Sequence, residues 1–456
     1  MVDINLCSLS SGLAIGWSSP GLVKLRDANQ TTLSRTITEE EGARIVSFAC
    51  LSSIASTFAA AFLMDCIGRK YTIILAAVLK VALGVMLILG TEVWVVIMSK
   101  GFLGGLDEIL FCVIPSYSSE IASKEIRGAL GAIFNMFIAF GIVVMLSVGP
   151  FCSYLTINVM YTAVTLAAVV PLIFLPESPY FLYSKGRKEE STKVLSFLRG
   201  PDHLVNEEIM QYSLVNNGQK VNRWLLFKDR VFLKATGLSL VFIVGGQLVG
   251  HNVIMSYLQT ILEMTDTNVK PEVASIVVGC VTATASTCTF FFTDKFGRRP
   301  ILTVTLCGAT VGLVFLGLFF KIKEDGYDTG GFFNYVPIIS LILFYFCQGA
   351  GFSSTAFIVT SELFDGKSRA TGMSVIALAA SLILFLSARY FIIIASAIGF
   401  PTVFWIFSLN SALTCLFVGF FVPETKGKTF AEIQEQLGAK KYLEDQNLKS
   451  ISVDVK

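Results

Sequence analysis

The sequence predicts an all-α membrane protein with twelve transmembrane helices in two similar six-helix bundles, joined by short cytoplasmic helices. Of its 456 residues 54% are hydrophobic and 15% are charged, which is too apolar for a soluble globular protein. A turn with an acid, a glycine and two basic positions occurs once in each half, as Asp65-Cys66-Ile67-Gly68-Arg69-Lys70 and as Asp294-Lys295-Phe296-Gly297-Arg298-Arg299. This repeat indicates two copies of one membrane unit.

The membrane spans follow from the apolar runs, taking about 20 residues as one crossing. The first run lacks the basic start and cleavage site of a signal peptide, so it is interpreted as a retained helix. The predicted domains are residues 1–175, a linker over 176–230, residues 231–422 and a tail over 423–456. The twelve predicted spans are 4–23, 43–64, 71–90, 93–119, 128–150, 154–175, 231–262, 272–293, 301–320, 334–361, 371–396 and 401–422.

The orientation follows from the basic residues, which are concentrated in the even-numbered loops and in the carboxyl-terminal tail. The positive-inside rule then predicts that both termini are cytoplasmic. The sequon Asn29-Gln30-Thr31 falls in the first outer loop, so we predict glycosylation at Asn29. We expect a multi-pass protein of the plasma membrane.

The linker contains an amphipathic pattern. Residues 187–199 alternate charged and apolar side chains at helical spacing and end at Gly200-Pro201. A second short helix is predicted from His203 to Leu214. These helices are expected to lie under the bundles; a solvated linker is the alternative.

The composition excludes several classes of function. A net charge of +2 gives no reason to expect nucleic acid as a partner, and ten cysteines without a Cys-x-x-Cys pair predict neither a zinc site nor a disulfide framework. No nucleotide-binding or catalytic motif is present. We therefore predict a non-enzyme without metal or cofactor, whose partners are a small molecule and membrane lipid and which needs no obligate protein partner.

Two further motif pairs follow the same repeat. Glu120 with Arg127 after span 4 matches Glu362 with Arg369 after span 10. Pro176-Glu177-Ser178-Pro179 after span 6 is echoed by Pro423-Glu424-Thr425 after span 12.

With these motifs the chain resembles the sugar porter family of the major facilitator superfamily, most of all its insect facilitated trehalose and glucose transporter-like branch. Gly16-Trp17-Ser18-Ser19-Pro20, Pro115-Ser116-Tyr117 and Arg127-Gly128-Ala129-Leu130-Gly131 add to the resemblance. It implies the major facilitator fold and facilitative transport of a hexose or small disaccharide, such as glucose or trehalose, by alternating access. A proton-coupled sugar symporter and a transport-incompetent sugar sensor or divergent transporter-like protein remain as alternatives.

The resemblance also implies a cytoplasmic gate of ion pairs between loops and span ends. Such charges can pair in one state and be hydrated in the other, which biases a two-state equilibrium. The alternative is that the bases only set topology. Two departures weaken the predicted gate, because the family usually has Arg where this chain has Cys66 and Tyr180. The predicted gate residues are Asp65, Arg69, Glu120, Arg127, Asp294, Arg298, Arg299, Glu362 and Arg369.

The sugar site is only partly matched. The family pattern Gln-Gln-x-x-Gly-x-Asn in span 7 is present as residues 246–252, without the first glutamine. Amides and hydroxyls suit sugar hydroxyls, and aromatic faces suit the ring. His251 shares a helical face with Gln247 and is expected either to meet substrate or to pack. The predicted substrate-binding residues are Gln247, Asn252, Tyr257, Asn135, Phe357, Thr282 and His251.

Span 10 departs most from the family. The usual Gly-x-Gly-Pro-x-Pro-Trp is replaced by residues 351–357, which contain no proline. The helix is therefore expected to keep its hydrogen bonds. Phe357 takes the tryptophan position and offers an aromatic face; packing against lipid or core is the alternative.

Three charges lie at similar depth inside the spans, namely Lys80 in span 3 and Asp107 and Glu108 in span 4. Charge at mid-membrane is costly unless paired, so an ion pair of Lys80 with Asp107 or Glu108 is predicted. The other hypothesis is that one carboxylate carries a proton. Ser18 stands where proton-coupled relatives place aspartate, which favours uncoupled transport.

Overall fold

The regular structure is helical throughout the part of the chain that the computed structural model describes. That part comprises residues 2–122, 127–200, 227–327, 331–364 and 368–426, with single residues between 205 and 212 and between 432 and 436. No β-strand occurs in these residues. The helices of the first half are α1 (Val2–Arg26), α2 (Glu39–Cys66), α3 (Arg69–Leu89), α4 (Val93–Ile121), α5 (Arg127–Val148), α6 (Tyr154–Leu172), α7 (Pro179–Ser184) and α8 (Lys188–Arg199).

The second half repeats this pattern with two of its spans interrupted. Its elements are α9 (Arg230–Gln247), α10 (His251–Ser256), α11 (Leu258–Thr265), α12 (Pro271–Phe296), α13 (Arg298–Glu324), α14 (Val336–Cys347), a π-helical segment (Gln348–Phe352), α15 (Ser353–Glu362), α16 (Arg369–Ile398) and α17 (Phe400–Phe421).

The helices have the length and composition of membrane spans. Ten helices or runs of helices among the described residues are long and apolar enough to cross a bilayer. Helices α1 and α4 are as long as these, and α4 differs by carrying the three charged residues Lys100, Asp107 and Glu108. Each predicted span coincides with one helix or with consecutive helices, which confirms the all-helical membrane fold. The amphipathic linker helix is also confirmed as α8, which ends at Arg199 and is capped by Gly200. The second predicted helix, from His203 to Leu214, falls mainly outside the described residues.

Span 10 corrects one expectation from the sequence. Proline is absent there, yet the α-helix does not continue unchanged, because Gln348–Phe352 is π-helical. The Ser353 amide donates to the Gln348 carbonyl, five residues earlier. This wider turn places a local irregularity in the same stretch where the family has prolines.

The described chain divides into two compact units. Unit 1 contains Met1–Gln219, Asn252–Ala283 and Leu384–Ile398; unit 2 contains Lys220–His251, Thr284–Ile383 and Gly399–Lys456. The units therefore differ from the sequence halves, since parts of α12 and α16 pack with the first half. The domain boundaries drawn from the repeat stay a prediction.

The internal packing of the units follows the repeat. In unit 1, α3 packs on α4 and α6, and α1 packs on α6. In unit 2 the equivalent spans make the same pairings, because α13 packs on α14 and α17, and α9 packs on α17. Three pairings thus recur, as expected for a duplicated unit.

Close packing of α9 in unit 2 generates a prediction. A methyl group added at Gly246 would clash with the ring of Phe352, whereas one added at Gly237 of the same helix would meet open space. We expect Gly246→Ala to destabilise the protein by about 1–3 kcal/mol. Gly237→Ala should not lower stability, because the added methyl group meets no neighbouring atom and alanine has the higher helix propensity.

Thermal unfolding in detergent measures this difference. The cost of Gly246→Ala should also shrink when Phe352 is replaced by Leu, since the smaller side chain makes room. Equal melting temperatures for the wild type and Gly246→Ala would show that the contact does not constrain packing.

Candidate functional site

The repeated turn in unit 1 is built around a carboxylate. Gly68 has φ +94°, which favours glycine, and a Cβ there would clash with the carboxylate of Glu177. Glu177 Oε1 accepts hydrogen bonds from the backbone amides of Arg69 at 3.0 Å and Lys70 at 3.1 Å. A carboxylate therefore caps the N-terminus of α3, where the helix dipole favours negative charge.

The turn in unit 2 has the same construction. Gly297 has φ +90°, and a Cβ there would press against Glu424. The Glu424 carboxylate accepts from the backbone amides of Arg298 at 3.0 Å and Arg299 at 3.1 Å, at the start of α13. It also accepts from the Lys426 amide at 2.9 Å. Burial by itself raises the pKa of Glu424, but these backbone donors outweigh it, so the net pKa shift is downward.

The first basic side chain of each turn pairs with the acid at the end of a neighbouring span. In unit 1, Arg69 Nη2 lies 3.0 Å from Glu120 Oε1, and the Ser178 hydroxyl also donates to Glu120. In unit 2, Arg298 Nη2 lies 3.7 Å from Glu362 Oε1. The same contact thus forms in both units, between the first basic residue of the turn and the glutamate at the end of span 4 or span 10.

The second basic side chain of each turn reaches the carboxyl-terminal end of the last membrane-spanning helix of its half. Lys70 Nζ donates to the carbonyl of Ile173 at 2.8 Å, next to the end of α6. The Arg299 guanidinium donates to the carbonyl of Gly419 near the end of α17. Each turn therefore ties together three helices of its own unit. We call this end of the helices the motif end.

The remaining predicted gate residues, Asp65, Arg127, Asp294 and Arg369, are not seen in these ion pairs. Asp65 is exposed and makes no hydrogen bond or ion pair within the described part of the chain. The side chains of Arg127 and Asp294 lie outside the described residues, while Arg369 is half-buried at the start of α16. The gate itself stays a prediction.

Sequence reasoning left Glu177 and Glu424 out of the gate, although each accepts hydrogen bonds from two backbone amides of its turn. The signal was present, because both glutamates stand in the same register in the two halves. The repeated Pro-Glu motif was treated only as a family marker.

Two of the predicted sugar-binding residues lie near each other in unit 2. Gln247 ends α9 and His251 begins α10, with Gly250 between them. The His251 ring packs edge-on against Tyr345 at 5.1 Å between centroids, and the Tyr345 hydroxyl donates to the His251 carbonyl at 3.4 Å. A polar cluster therefore forms where α9 ends beside α14.

Four other predicted residues belong to unit 1. Asn252 and Asn135 are exposed on α10 and α5, whereas Thr282 is buried and donates to a backbone carbonyl one turn earlier. Tyr257 is fully buried, and its ring stacks on Phe391 at 5.5 Å. The structure thus gives Tyr257 a packing contact.

Phe357 lies on α15 of unit 2 and is 46% exposed. That exposure fits an aromatic face offered to either substrate or lipid. The role of all seven residues in substrate binding stays a prediction.

The intramembrane charges form a network inside unit 1. Lys80 Nζ lies 2.6 Å from Asp107 Oδ1 and 3.1 Å from Ser11 Oγ, and Lys80 is fully buried. Glu108 faces away from this pair and accepts a 3.5 Å hydrogen bond from Thr57. Of the two acids named from the sequence, Asp107 is the partner of Lys80.

A second buried lysine lies in the same helix as Asp107. Lys100 Nζ donates to the Ala14 carbonyl at 3.0 Å and lies 4.4 Å above the ring of Trp17. A cation–π contact of this kind stabilises a desolvated ammonium group. Among the described residues no cluster of His, Cys, Asp and Glu has the arrangement of a metal site.

Comparisons with known proteins agree with these features. The profile of the family described as "Sugar (and other) transporter" matches residues 5–437. A facilitated trehalose transporter of Polypedilum vanderplanki is 26% identical over 96% of this chain and 87% of its own length. A facilitated trehalose transporter of Aedes aegypti is 25% identical over 96% of this chain, which spans only 54% of that relative.

The fold is also similar to a solved structure. The inward open conformation of the xylose transporter XylE from E. coli superposes with a TM-score of 0.78, covering 95% of this chain and 99% of that one. The two sequences are 20% identical. This likeness establishes the major facilitator fold.

The lowered pKa of Glu424 gives a stability prediction. A carboxyl group whose pKa is lower in the folded state stabilises the protein above its ordinary pKa of 4.5, and this contribution is lost as the pH falls below that value. Glu424→Gln should therefore lower the melting temperature at neutral pH, and the difference from the wild type should shrink on acidification.

Melting curves from pH 7 down to pH 4 check this prediction, with Glu189→Gln on the exposed face of α8 as control. The control should follow the wild type at every pH. A melting-temperature difference for Glu424→Gln that does not change with pH would contradict the assignment.

The buried ion pair gives a second prediction. Removing one partner leaves an unpaired buried charge, so Lys80→Met or Asp107→Asn alone should destabilise by about 3–5 kcal/mol. The double variant Lys80→Met with Asp107→Leu should recover most of the loss, because no charge is left.

Thermal unfolding and the yield of monodisperse protein measure both effects. Glu108→Gln is the matched control, since this neighbouring acid has no lysine partner. Single variants that melt at the wild-type temperature would show that the pair is not structural.

Proposed function

The chain belongs to the Sugar (and other) transporter family, and from this we propose that it carries a hexose or small disaccharide across a membrane by facilitated diffusion. The observation that supports this most strongly is the repeated motif-end network. In each half one glutamate caps the helix that follows the turn glycine, and the first arginine of that helix pairs with a second glutamate. The facilitated trehalose transporters among the relatives support a sugar as the substrate. We propose a carrier rather than an enzyme.

The proposed mechanism is alternating access. The carboxylate-capped turns make the motif end of each unit rigid, because each turn binds the ends of two neighbouring spans. Sugar binding then shifts the balance between two arrangements of these rigid parts. Asp65, Arg127, Asp294 and Arg369 are proposed to join the network in the state that closes this end.

The proposed substrate site consists of polar and aromatic residues. Amides and an imidazole supply donors and acceptors for hydroxyl groups, while tyrosine and phenylalanine supply faces for the ring. The proposed residues are Gln247, His251, Asn252, Tyr257, Asn135, Thr282 and Phe357.

We propose that the protein lies in the plasma membrane. In the proposed orientation the motif end and both termini face the cytoplasm. The distribution of Lys and Arg supports this orientation. Asn29 is exposed in the loop between α1 and α2, which suits glycosylation on the outer side.

Uncoupled transport is the favoured mode. Asp107 is already bound to Lys80, and the first span carries Ser18 where proton-coupled relatives carry an acid. One observation favours symport as a second candidate, because Glu108 is a carboxylic acid inside a span without a basic partner among the described residues.

Counterflow in liposomes tests the proposal. Purified protein should exchange labelled glucose, fructose or trehalose, and Gln247→Ala should reduce the rate about tenfold, as expected from losing one or two hydrogen bonds to the sugar. Gln30→Ala in the loop after α1 is the control and should leave the rate unchanged.

Uptake measured with and without a proton ionophore distinguishes uniport from proton-coupled symport. A uniporter reaches the same uptake plateau with and without a proton ionophore, whereas a symporter loses accumulation. If the unaltered protein moves none of these sugars, carrier function as proposed is refuted.

A further inference from the structure

A buried glutamine in span 10 has no bonding partner for its amide. Gln348 is 1% exposed, and neither its Oε1 nor its Nε2 atom has a hydrogen-bond partner in the described part of the chain. Leaving an amide buried and unpaired opposes folding. Fold stability alone therefore does not explain a glutamine at this position.

The backbone around Gln348 is irregular in a way that often marks functional sites. Gln348 is the first residue of the π-helical segment Gln348–Phe352. Such segments are rare and are frequently found at functional sites. The unpaired amide and the π-helical segment are two separate observations on one residue.

Packing holds this segment in place on two sides. Gly351 lies so close to α13 that a Cβ would clash with the side chain of Thr305. Phe352 fills the space above Gly246 of α9 and packs edge-on against Phe242 at 5.3 Å. The Gln348 amide is thus carried on a rigid backbone, as a binding residue requires.

The neighbours of Gln348 are polar and neutral. Tyr345 precedes it by three residues, so the two side chains lie side by side on the helix. The Tyr345 ring contacts His251, whose Nδ1 atom is also buried without a partner. His251 follows Gln247 by one turn, which links this cluster to the proposed sugar site.

We propose that Gln348 is a specificity-determining sugar-binding residue, whose amide donates to one sugar hydroxyl and accepts from another. This inference rests on the proposed sugar transport. A glutamine amide offers both a donor and an acceptor, which matches a pair of adjacent hydroxyl groups. None of the named side chains, Gln348, Tyr345 and His251, is a carboxylate, lysine or arginine, which suits an uncharged polyol as the ligand.

The proposal has a selective consequence. A site built to bond a hydroxyl discriminates strongly against an analogue that lacks it, since the protein group is then left unpaired. If Gln348 binds a hydroxyl, its replacement removes that discrimination at one or two ring positions and leaves the others intact. A purely structural glutamine has no such positional effect.

The test is transport of D-glucose and its monodeoxy analogues by the full-length protein in liposomes. Competition with labelled glucose gives kcat/KM ratios for the wild type, Gln348→Leu and the control Thr360→Val. Thr360 lies in the same span, is equally buried and already donates to the Ala356 carbonyl at 2.7 Å.

We expect the wild type and Thr360→Val to disfavour at least one deoxy analogue by tenfold or more. In Gln348→Leu this preference should fall to within about twofold at the same position, which corresponds to losing one well-placed hydrogen bond. Preferences at the other positions should be kept. Gln348→Asn, which retains the amide but shortens the side chain, should show the same positional loss and serves if the Leu variant does not fold.

The inference is overturned if both variants keep the wild-type pattern of preferences, whatever their melting temperatures. It is also overturned if all positions lose preference equally, since that pattern indicates a distorted site. A wild-type protein that moves no sugar refutes the proposed function instead, so the two failures are distinguishable.

Discussion

The structure depends on one interaction made twice, in which a glutamate carboxylate accepts hydrogen bonds from the first backbone amides of a helix. Glu177 does this for α3 and Glu424 for α13. The contact requires a glycine before each helix, because the carboxylate occupies the place of a side chain. It also leaves the two basic side chains that follow free to reach neighbouring spans. A single geometric demand thus explains why a glycine followed by two basic residues recurs in both halves.

The membrane interior sets the second constraint. A bilayer offers no water to solvate polar groups, so charges inside it must be paired. Lys80 and Asp107 obey this rule within unit 1, and Lys100 is stabilised by a carbonyl and by Trp17. The amide of Gln348 in unit 2 is neutral, but it too is buried, and it has no hydrogen-bond partner among the described residues. An exception of this kind is expected where a protein keeps hydrogen-bonding capacity for a ligand.

Much of this arrangement could be predicted from the sequence. Hydropathy predicts the helices because spans need long apolar runs. The motif repeat names Arg69, Glu120, Arg298 and Glu362 as predicted gate residues, but which acid pairs with which base depends on how the helices pack. The capping role of Glu177 and Glu424 was missed because their partners are backbone amides, so the repeated Pro-Glu motif marks the two glutamates without indicating what they bind. The π-helical segment was missed because proline was the only helix-breaking signal considered.

The sugar site was less predictable than the gate for a physical reason. Gate residues are charged and stand at span ends, where few alternatives exist. The proposed binding residues, Gln348 among them, are mostly neutral and lie within apolar runs, so their role is inferred from burial and from missing partners. Residues 252–283 and 384–398 group with unit 1 although they follow the linker in the sequence, and this grouping likewise depends on tertiary packing.

The central claim is that a transported sugar shifts the balance between two arrangements of rigid motif ends. Double electron–electron resonance tests it most directly, with nitroxides on the exposed Cys66 of unit 1 and on Lys426→Cys of unit 2, and with the other cysteines replaced. The account predicts two distance populations, whose ratio changes with a transported sugar and not with one that is not transported. A single distribution that sugar leaves unchanged, in liposomes that do transport it, would contradict the account.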